Sequence, residues 1–597
     1  MSYRSHPTDT EKMPSGIPYI ISNEAAERFS FYGMKAALAI FLVNYLTVLG
    51  GESLSTAKAT AYVSFFNSAV YVTPLLGAWI ADVYWGKYNT IIKLSVVYCL
   101  GHLALAFMGV GGMVQFWLLS GLGLIALGAG GIKPCVSSHV GDQFGKSNQH
   151  LLTKIFNIFY LSINFGSVIA SFCIPLILKW YGPHWAFGIP GVLMCLATLM
   201  FWSGRNKFIH VPPHGKAFYT ELKSREGRTA VAKLIPLFLF VAIFWCLFDQ
   251  TASTLVFQAE KMDLHLFGPG SLTVLPSQIQ AANPLLILIL IPIFTWGIYP
   301  ALGKVITLTP LRKIGTGLFL MVIAFGVLSL IQEAIDRGEV PSVWWQLLAY
   351  VILTVGEVLV SIVCLEFAYT QSPRKMKSFV MSLFLLSIFA GNLITGAINL
   401  YIDVPTIPLS EKEPSHPGFD GKSGTADDLS LKEAKIHSPA YQLLSESAGA
   451  IKSIYQHKNS LPTTADGAKA LSNFKDPWGN PLRYTQISAA TARISSDGPD
   501  KEHLTKWDLG AIVTVNKKDE INKDTWLYKE KVKKGMIDTP AKGSASDSLV
   551  KITYYAGGQT KLEGAAYFWF FTILMLITSV IFIPFALTYK TKNYLQQ

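Results

Sequence analysis

The chain alternates long apolar runs with short polar breaks. Twelve runs approach the stretch of about 20 mostly apolar residues that crosses roughly 30 Å of hydrocarbon. They lie at 22–49, 58–82, 88–110, 114–138, 155–178, 185–203, 234–258, 283–303, 312–332, 343–369, 377–402 and 564–588. Each predicts one membrane-spanning helix, and an even number puts both termini on one side. The first 20 residues lack an apolar core followed by a small-residue cleavage site, so the first span is expected to stay in the mature protein and the N-terminus to be cytoplasmic. One segment breaks the pattern. Residues 403–563 are polar, rich in Lys, Asp, Ser and Gly, and fall between spans eleven and twelve. In this topology they form a separate, non-cytoplasmic domain, and without cysteine that domain must rest on its own core or a metal ion.

Composition sharpens this picture. Of 597 residues, 51% are hydrophobic and 15% charged, which argues against a soluble protein of this length. The net charge of +12 would suit a nucleic-acid partner until the charges are placed. With the N-terminus inside, twenty Lys and Arg fall in cytoplasmic segments, whereas the short outer loops hold Lys58, Lys179, Lys261 and Arg337. The basic excess is then largely topology, and no basic stripe interleaved with aromatics is left for a nucleic acid. The six cysteines show neither CxxC nor CxxH spacing, so a disulfide framework and a thiolate metal site both lack support.

The first span reads NEAAERFSFYGMKAAL from Asn23, which puts Glu24, Glu27, Arg28 and Lys35 in an apolar helix. A central charge costs about 2.5 to 3.5 kcal/mol on insertion scales. Spacings of three, four and seven place all four near one helical face, as for a stripe facing a water-filled cavity. A local ion pair snorkelling at the interface is the blander alternative. Three further charges weigh against it: Lys133 after GAGGI in span four, Asp249 in FWCLFDQTAST of span seven, and Glu357 in LTVGEVLVSIVCLEF of span ten. Ionisable groups on four helices are expected to converge on one polar cavity. A carboxylate paired with an ammonium stays ionised, and one released in a dry cavity takes up a proton, so these are the parts of a proton switch. No catalytic triad, P-loop or HExxH appears, which leaves hydrolysis and ATP-driven pumping without residues and an ion gradient as the energy source.

Four blocks make the chain resemble the proton-dependent oligopeptide transporter family of the major facilitator superfamily. They are EAAERFSFYG from Glu24, matching an ExxERFxxYG signature; YVTPLLGAWIADVYWGK from Tyr71; GIKPCVSSHVGDQF from Gly131 with IFNIFYLSINFGS from Ile155; and EFAYTQSP from Glu366 followed by MKSF. The likeness covers roughly 20–402 and 564–590. It implies an all-α membrane protein, a twelve-helix fold of two six-helix bundles rocking around a central site. The divisions would be 1–203 (first bundle), 204–233 (cytoplasmic linker), 234–402 (helices seven to eleven), 403–563 (the insert) and 564–597 (helix twelve and tail). The implied function is proton-coupled symport of di- and tripeptides, with no enzyme activity and no cofactor, in a bacterial inner membrane. By motif position, Glu24, Glu27 and Arg28 match the proton-coupling trio and Lys133 the lysine that pairs with it. Lys35 stands where arginine is usual and with Lys133 would hold the peptide carboxylate, as a point donor rather than a bidentate one. Glu357 would take the peptide amino terminus, and Tyr71, Asn164 and Asn283 its backbone. Trp245 and Tyr32 would line side-chain pockets or simply pack, and Asp249 would serve proton coupling or gating. The chain departs from the family at three further places: Ser64 replaces the span-two histidine of animal members, 204–233 is too short for the two extra helices of many bacterial members, and 333–342 is too short for the animal outer domain. A carrier of another small anion or metabolite is the alternative on this fold, and a secretion-linked scaffold the alternative outside it.

Within the insert, LPTT at 461–464 and DPWGNP at 476–481 resemble the globular part of the type II secretion major pseudopilin, giving a small α+β domain without the apolar pilin helix. In DPWGNP two prolines fix φ, Gly479 permits a positive φ, and Trp478 supplies apolar area for a small core. Asp497, Asp500 and Asp508, like Asp427 and Asp428, stand in Gly-containing loops. Related pseudopilins bind calcium in such a loop, so the resemblance implies a calcium site; a solvated acidic turn is the alternative.

Overall fold

The computed structural model describes residues 3–5, 10–52, 54–145, 147–213, 225–305, 307–371, 377–409, 415–432, 435–515, 523–536 and 550–590. Parts of the expected linker (214–224), of the EFAYTQSP–MKSF block (372–376), of the insert and of the tail lie outside the described residues.

The first bundle is built from α1 (Ile17–Ile40), α2 (Thr56–Ile80), α3 (Lys87–Ala106), α4 (Val114–Asp142), α5 (Leu152–Tyr181) and α6 (Pro183–Ser203). Pro18 in the first turn of α1 starts the helix five residues before the expected span, at a position where a missing N–H costs nothing. A π-helical turn, Phe41–Tyr45, carries α1 onward. Small residues let these helices touch backbone to backbone. A Cβ on Gly77 of α2 would fall onto the carbonyl of Gly131 in α4, and one on Gly130 would fall onto Thr73. Thr73 seals the same contact by donating to the Ala126 carbonyl at 2.8 Å.

The second half comprises α7 (Arg225–Phe248), α8 (Thr254–Ala259), α9 (Ala282–Pro292), α10 (Tyr299–Gly303), α11 (Pro310–Asp336), α12 (Val343–Glu357), α13 (Val363–Thr370) and α14 (Lys377–Ile402). Here α7 begins inside the stretch expected to be linker. Residues 225–233 mix polar groups with good helix formers, so an apolar-run criterion starts the span two turns late. The core centres on Phe244, Phe325, Tyr350 and Phe571, each at most 1% exposed. Among the described residues, eleven helical segments are long and apolar enough to cross a membrane. The segment Ile17–Tyr45 is as long as these, but its four charges set it apart.

The polar segment is an α+β unit. A short hairpin pairs β1 (Ser430–Lys432) with β2 (Lys435–His437), and α15 (Tyr441–Lys458) and α16 (Thr464–Ala470) follow. An antiparallel sheet in the order β3 (Arg483–Ser488), β4 (Thr491–Ser496), β5 (Leu509–Val515), β6 (Val550–Ala556) completes it, with α17 (Trp526–Lys533) in the excursion between β5 and β6. Leu444, Ala448 and Ile451 of α15 share a buried core with Ala492, Ile494, Ala511 and Val513 of the sheet. The LPTT block is the start of α16, where Thr463 accepts from the Asp466 amide. DPWGNP is a turn with Gly479 at φ 88°, anchored by the buried carboxylate of Asp476, which takes the Trp478 and Asn480 amides and the Ser496 hydroxyl. Two strand-like bridges, Asp403 with Thr560 and Thr406 with Gly557, bring the ends of the unit together before α18 (Ala565–Thr588).

Candidate functional site

The α1 charges form a compact buried group. Arg28 Nε donates to Glu24 Oε1 at 2.7 Å and lies 3.1 Å from Glu27 Oε2. Their exposures of 2% for Glu24, 1% for Glu27 and 9% for Arg28 exclude a pair that snorkels to solvent. Lys133, on α4, is held differently from expectation. Its Nζ sits 4.5 Å from the ring centre of Phe31 and 4.7 Å from that of Tyr71, and among the described residues it forms no ion pair. Arg28 already engages both carboxylates, so the lysine is stabilised by ring faces rather than by a carboxylate contact.

Lys35 and Asp249 meet each other. Lys35 Nζ lies 3.2 Å from Asp249 Oδ1, joining α1 to the single 3₁₀ turn Asp249–Ala252 that follows α7. The other carboxylate oxygen accepts from Asn392 Nδ2 of α14 at 2.6 Å. Asn392 is a site residue that sequence reading missed; its signal was an amide inside the apolar run FAGNLITGA. Glu357 ends α12 just before a π-helical turn, Val358–Ile362, and its Oε2 accepts from Asn283 Nδ2 of α9 at 2.7 Å. Asn283 also donates to Thr354 Oγ1 at 3.2 Å, so it positions Glu357. Asn164 is turned back on its own helix, donating to the Tyr160 carbonyl at 3.0 Å. Trp245 packs edge-on against Phe244, Phe248 and Phe384. Tyr32 stands edge-on to Phe31, at 5.4 Å between ring centres.

Charges of both halves act on the same phenols. Tyr71 lies within electrostatic reach of Arg28, Asp249 and Glu357, and Tyr32 within reach of these and Glu27. The halves also grip each other at the end that carries the insert. Asn44 donates to Glu260, Gln278 to the Phe172 carbonyl, and Ser55, which caps α2, to Asp403 at the end of α14. A cavity of about 210 Å³ remains there, lined in part by Thr60, Gln258, Glu260, Lys261, Glu563 and Tyr567. Toward the opposite end, Lys87 at the start of α3 reaches Asp142 at the end of α4 with contacts of 2.7 and 2.9 Å, tying the YWGK turn to the DQF segment.

In the insert, the structure gathers Asp497 and Asp508 with His503, not with Asp500. Asp500 instead accepts from Thr505 Oγ1 at 2.7 Å. Asp497 takes both arms of the Arg483 guanidinium at 2.8 Å each, and Asp508 takes the Leu504 and Thr505 amides at 3.0 Å each. Burial by itself would raise the Asp497 carboxyl, but the Arg483 fork and nearby His503 hold it below the ordinary carboxylate range. Asp427 is likewise engaged by the Phe419 and Asp420 amides. Calcium asks for six to eight oxygens. A carboxylate already filled by a guanidinium, beside an imidazole, does not fit that demand.

Comparison with known proteins agrees with this geometry. The model of the POT family (PTR2) matches residues 88–225 and 219–413, together more than half of the chain. Solute carrier family 15 member 2 of Danio rerio is 40% identical over 357 residues, 52% of this chain and 48% of that protein. Peptide transporter family 1 of Caenorhabditis elegans is 32% identical over 454 residues, 64% of this chain and 53% of that one. Thus the chain spans about half the length of the curated relatives it matches. Among solved structures, the POT family transporter PepTSo is 39% identical with a TM-score of 0.59, covering 66% of this chain and 91% of that one. A peptide transporter POT in complex with alafosfalin is 27% identical at TM-score 0.59, covering 66% and 90%. With its helical membrane architecture, its paired acids and bases and a family match over more than half its length, the chain belongs to the POT family.

Proposed function

We propose that this chain is a proton-coupled symporter that imports di- and tripeptides by alternating access, with α1 as the first of twelve spans in two six-helix bundles. The carrying observation is that Lys35 of the first half lies 3.2 Å from Asp249 of the second, and that Arg28 from one half and Asp249 and Glu357 from the other lie within electrostatic reach of the same two phenols, Tyr32 and Tyr71. Such an arrangement suits a zwitterion. Short peptides share one ammonium, one carboxylate and a backbone while their side chains vary, so charges fixed on opposite halves read termini and length without reading sequence. Glu357 would take the ammonium. Lys133 offers the carboxylate a cation free of ion pairs among the described residues, and Lys35 would join it on leaving Asp249. Tyr71, Asn164 and Asn283 would bond the backbone. A proton arriving at Glu24 or Glu27 would loosen Arg28, and the exchange of partners among Arg28, Lys133, Lys35 and Asp249 would bias the rocking of the halves. The substrate crosses unchanged, and no step is enzymatic.

The membrane would be a bacterial inner membrane, with both termini cytoplasmic and residues 403–563 outside as a pseudopilin-like unit. The names of the relatives, peptide transporters among them, support the substrate class. Dipeptide uptake into proteoliposomes under an imposed inward proton gradient tests the reading: the intact chain should accumulate dipeptide above equilibrium, and Glu27→Gln should lose accumulation yet keep counterflow exchange. Gradient-independent or absent uptake by the intact chain would refute it.

A further inference from the structure

The insert belongs to the second half by construction. It leaves α14 and returns into α18, and its stalk is zipped by Val404 N donating to the Gln559 carbonyl and Lys561 N to that of Ile402. Arg493 of β4 holds Glu563, at the foot of α18, through both carboxylate oxygens at 3.1 and 2.7 Å. Next to α11, Gln486 of β3 packs against Gly338 so closely that a Cβ there would collide with it. The sheet therefore moves with the second half.

One element reaches the other way. Helix α17 leaves the sheet between β5 and β6 and lies on the insert end of the first bundle. The Trp526 indole stacks on Tyr45, with ring centres 6.0 Å apart and planes 17° apart. The same indole covers Gly182, the residue between α5 and α6, whose φ of +84° and lack of a Cβ make room for it. Leu527 packs beside it against the first-bundle core, and Lys534 donates to the Val48 carbonyl. Tyr45, Val48 and Gly182 cluster where α1, α5 and α6 reach the insert end. A helix owned by one half is thus seated on the other, beside the Asn44–Glu260 and Ser55–Asp403 contacts that close the same end.

We propose that α17 is a latch: it holds the insert end of the two halves together, and opening of that end requires Trp526 to leave Tyr45 and Gly182. This rests on the alternating-access reading for its role in transport, but its physical content, a restraint between halves, is read without transport. The insert then sets how often the cavity beside Thr60 opens, acting as a regulator built into the carrier rather than as a passenger.

The test uses the full chain in proteoliposomes, with the six native cysteines replaced and Thr60→Cys as reporter; Thr60 lines the cavity and is 2% exposed. The readout is the rate of labelling by a membrane-impermeant thiol reagent. Trp526→Ala should speed labelling by about two- to tenfold, the equivalent of one aromatic pair, and Trp526→Phe should partly restore the slow rate. In a second variant, Tyr45→Cys with Trp526→Cys joined by disulfide before the reporter is probed should slow labelling and stop uptake, with reductant reversing the uptake loss. A control disulfide within the insert, Leu431→Cys with Ile436→Cys across the β1–β2 pair, should change neither. Unchanged labelling in Trp526→Ala, or free labelling in the bridged protein, overturns the latch. If wild type moves no dipeptide but labelling follows Trp526, the transport reading fails and the latch stands.

Discussion

Replacing Glu357 by Gln isolates the proposed recognition of the peptide amino terminus. Glu357 Oε2 is taken by Asn283 at 2.7 Å, and among the described residues Oε1 accepts no hydrogen bond, so one oxygen is available to an ammonium. A glutamine keeps the shape and still accepts from Asn283, but it cannot offer the charge. A hydrogen bond to a charged group is worth about 1.5 to 3 kcal/mol, which is about 10- to 150-fold in affinity. The assay is a cycle in two dimensions: wild type and Glu357→Gln, each titrated with a dipeptide and with the same dipeptide acetylated at its amino terminus. Wild type should prefer the free peptide by that factor, the variant should lose the preference, and the acetylated peptide should bind both proteins alike. An equal loss of affinity for both peptides would mean that the substitution damages the site in general, and the assignment would fall.

The remaining predictions concern the framework. Lys35→Ala and Asp249→Asn should be non-additive in thermal stability of the detergent-solubilised protein, with a coupling of about 1 to 3 kcal/mol, because their side chains are only 12% and 8% exposed; strict additivity would contradict a direct pair. Gly77→Leu should cost at least about 3 kcal/mol or prevent folding, since even a Cβ meets the Gly131 carbonyl; a normal melting temperature would refute the backbone contact of α2 and α4. The Arg483–Asp497 fork holds a carboxyl below its ordinary value near 3.8, so its stabilisation is present above that pH and is lost as pH falls toward the lower folded value. The protection of amides over 483–515 in the full chain, relative to their intrinsic exchange at each pH, should therefore fall below about pH 4 in wild type, whereas in Arg483→Met it should be low already at neutral pH. In the same measurement a calcium chelator should leave wild type unchanged, and loss of protection on chelation would restore the calcium reading.

Much of this fold was legible because a bilayer imposes its own length on every crossing segment. Apolar runs located the eleven helices that, among the described residues, are long and apolar enough to cross, and four charges set Ile17–Tyr45 apart from them. Helix ends were less legible: the first turns of α7 are polar because they are solvated, and an apolar-run criterion cannot see them. Within one helix, spacing sufficed, and Glu24, Glu27 and Arg28 do form one group. Between helices it did not. Lys35 and Asp249 are 214 residues apart, and nothing in either neighbourhood announces the other. The partner of Lys133 was misjudged for the same reason, since ring faces leave no charge signature in a sequence. Asn392 and Asp476 were passed over because a single amide or carboxylate counts for little until the groups that point at it are known. Asp500 stood in the right loop but faces Thr505, a matter of backbone path that composition does not encode.

Charges of two halves that share one site would move a peptide together with a proton. Proton flux driven by peptide alone tests it most directly. With a pH dye trapped in proteoliposomes, equal pH on both sides and potassium with valinomycin clamping the voltage, dipeptide is added outside. The account predicts acidification of the lumen that saturates with dipeptide and is absent in Glu27→Gln. Entry of labelled dipeptide without any change in lumenal pH would contradict it.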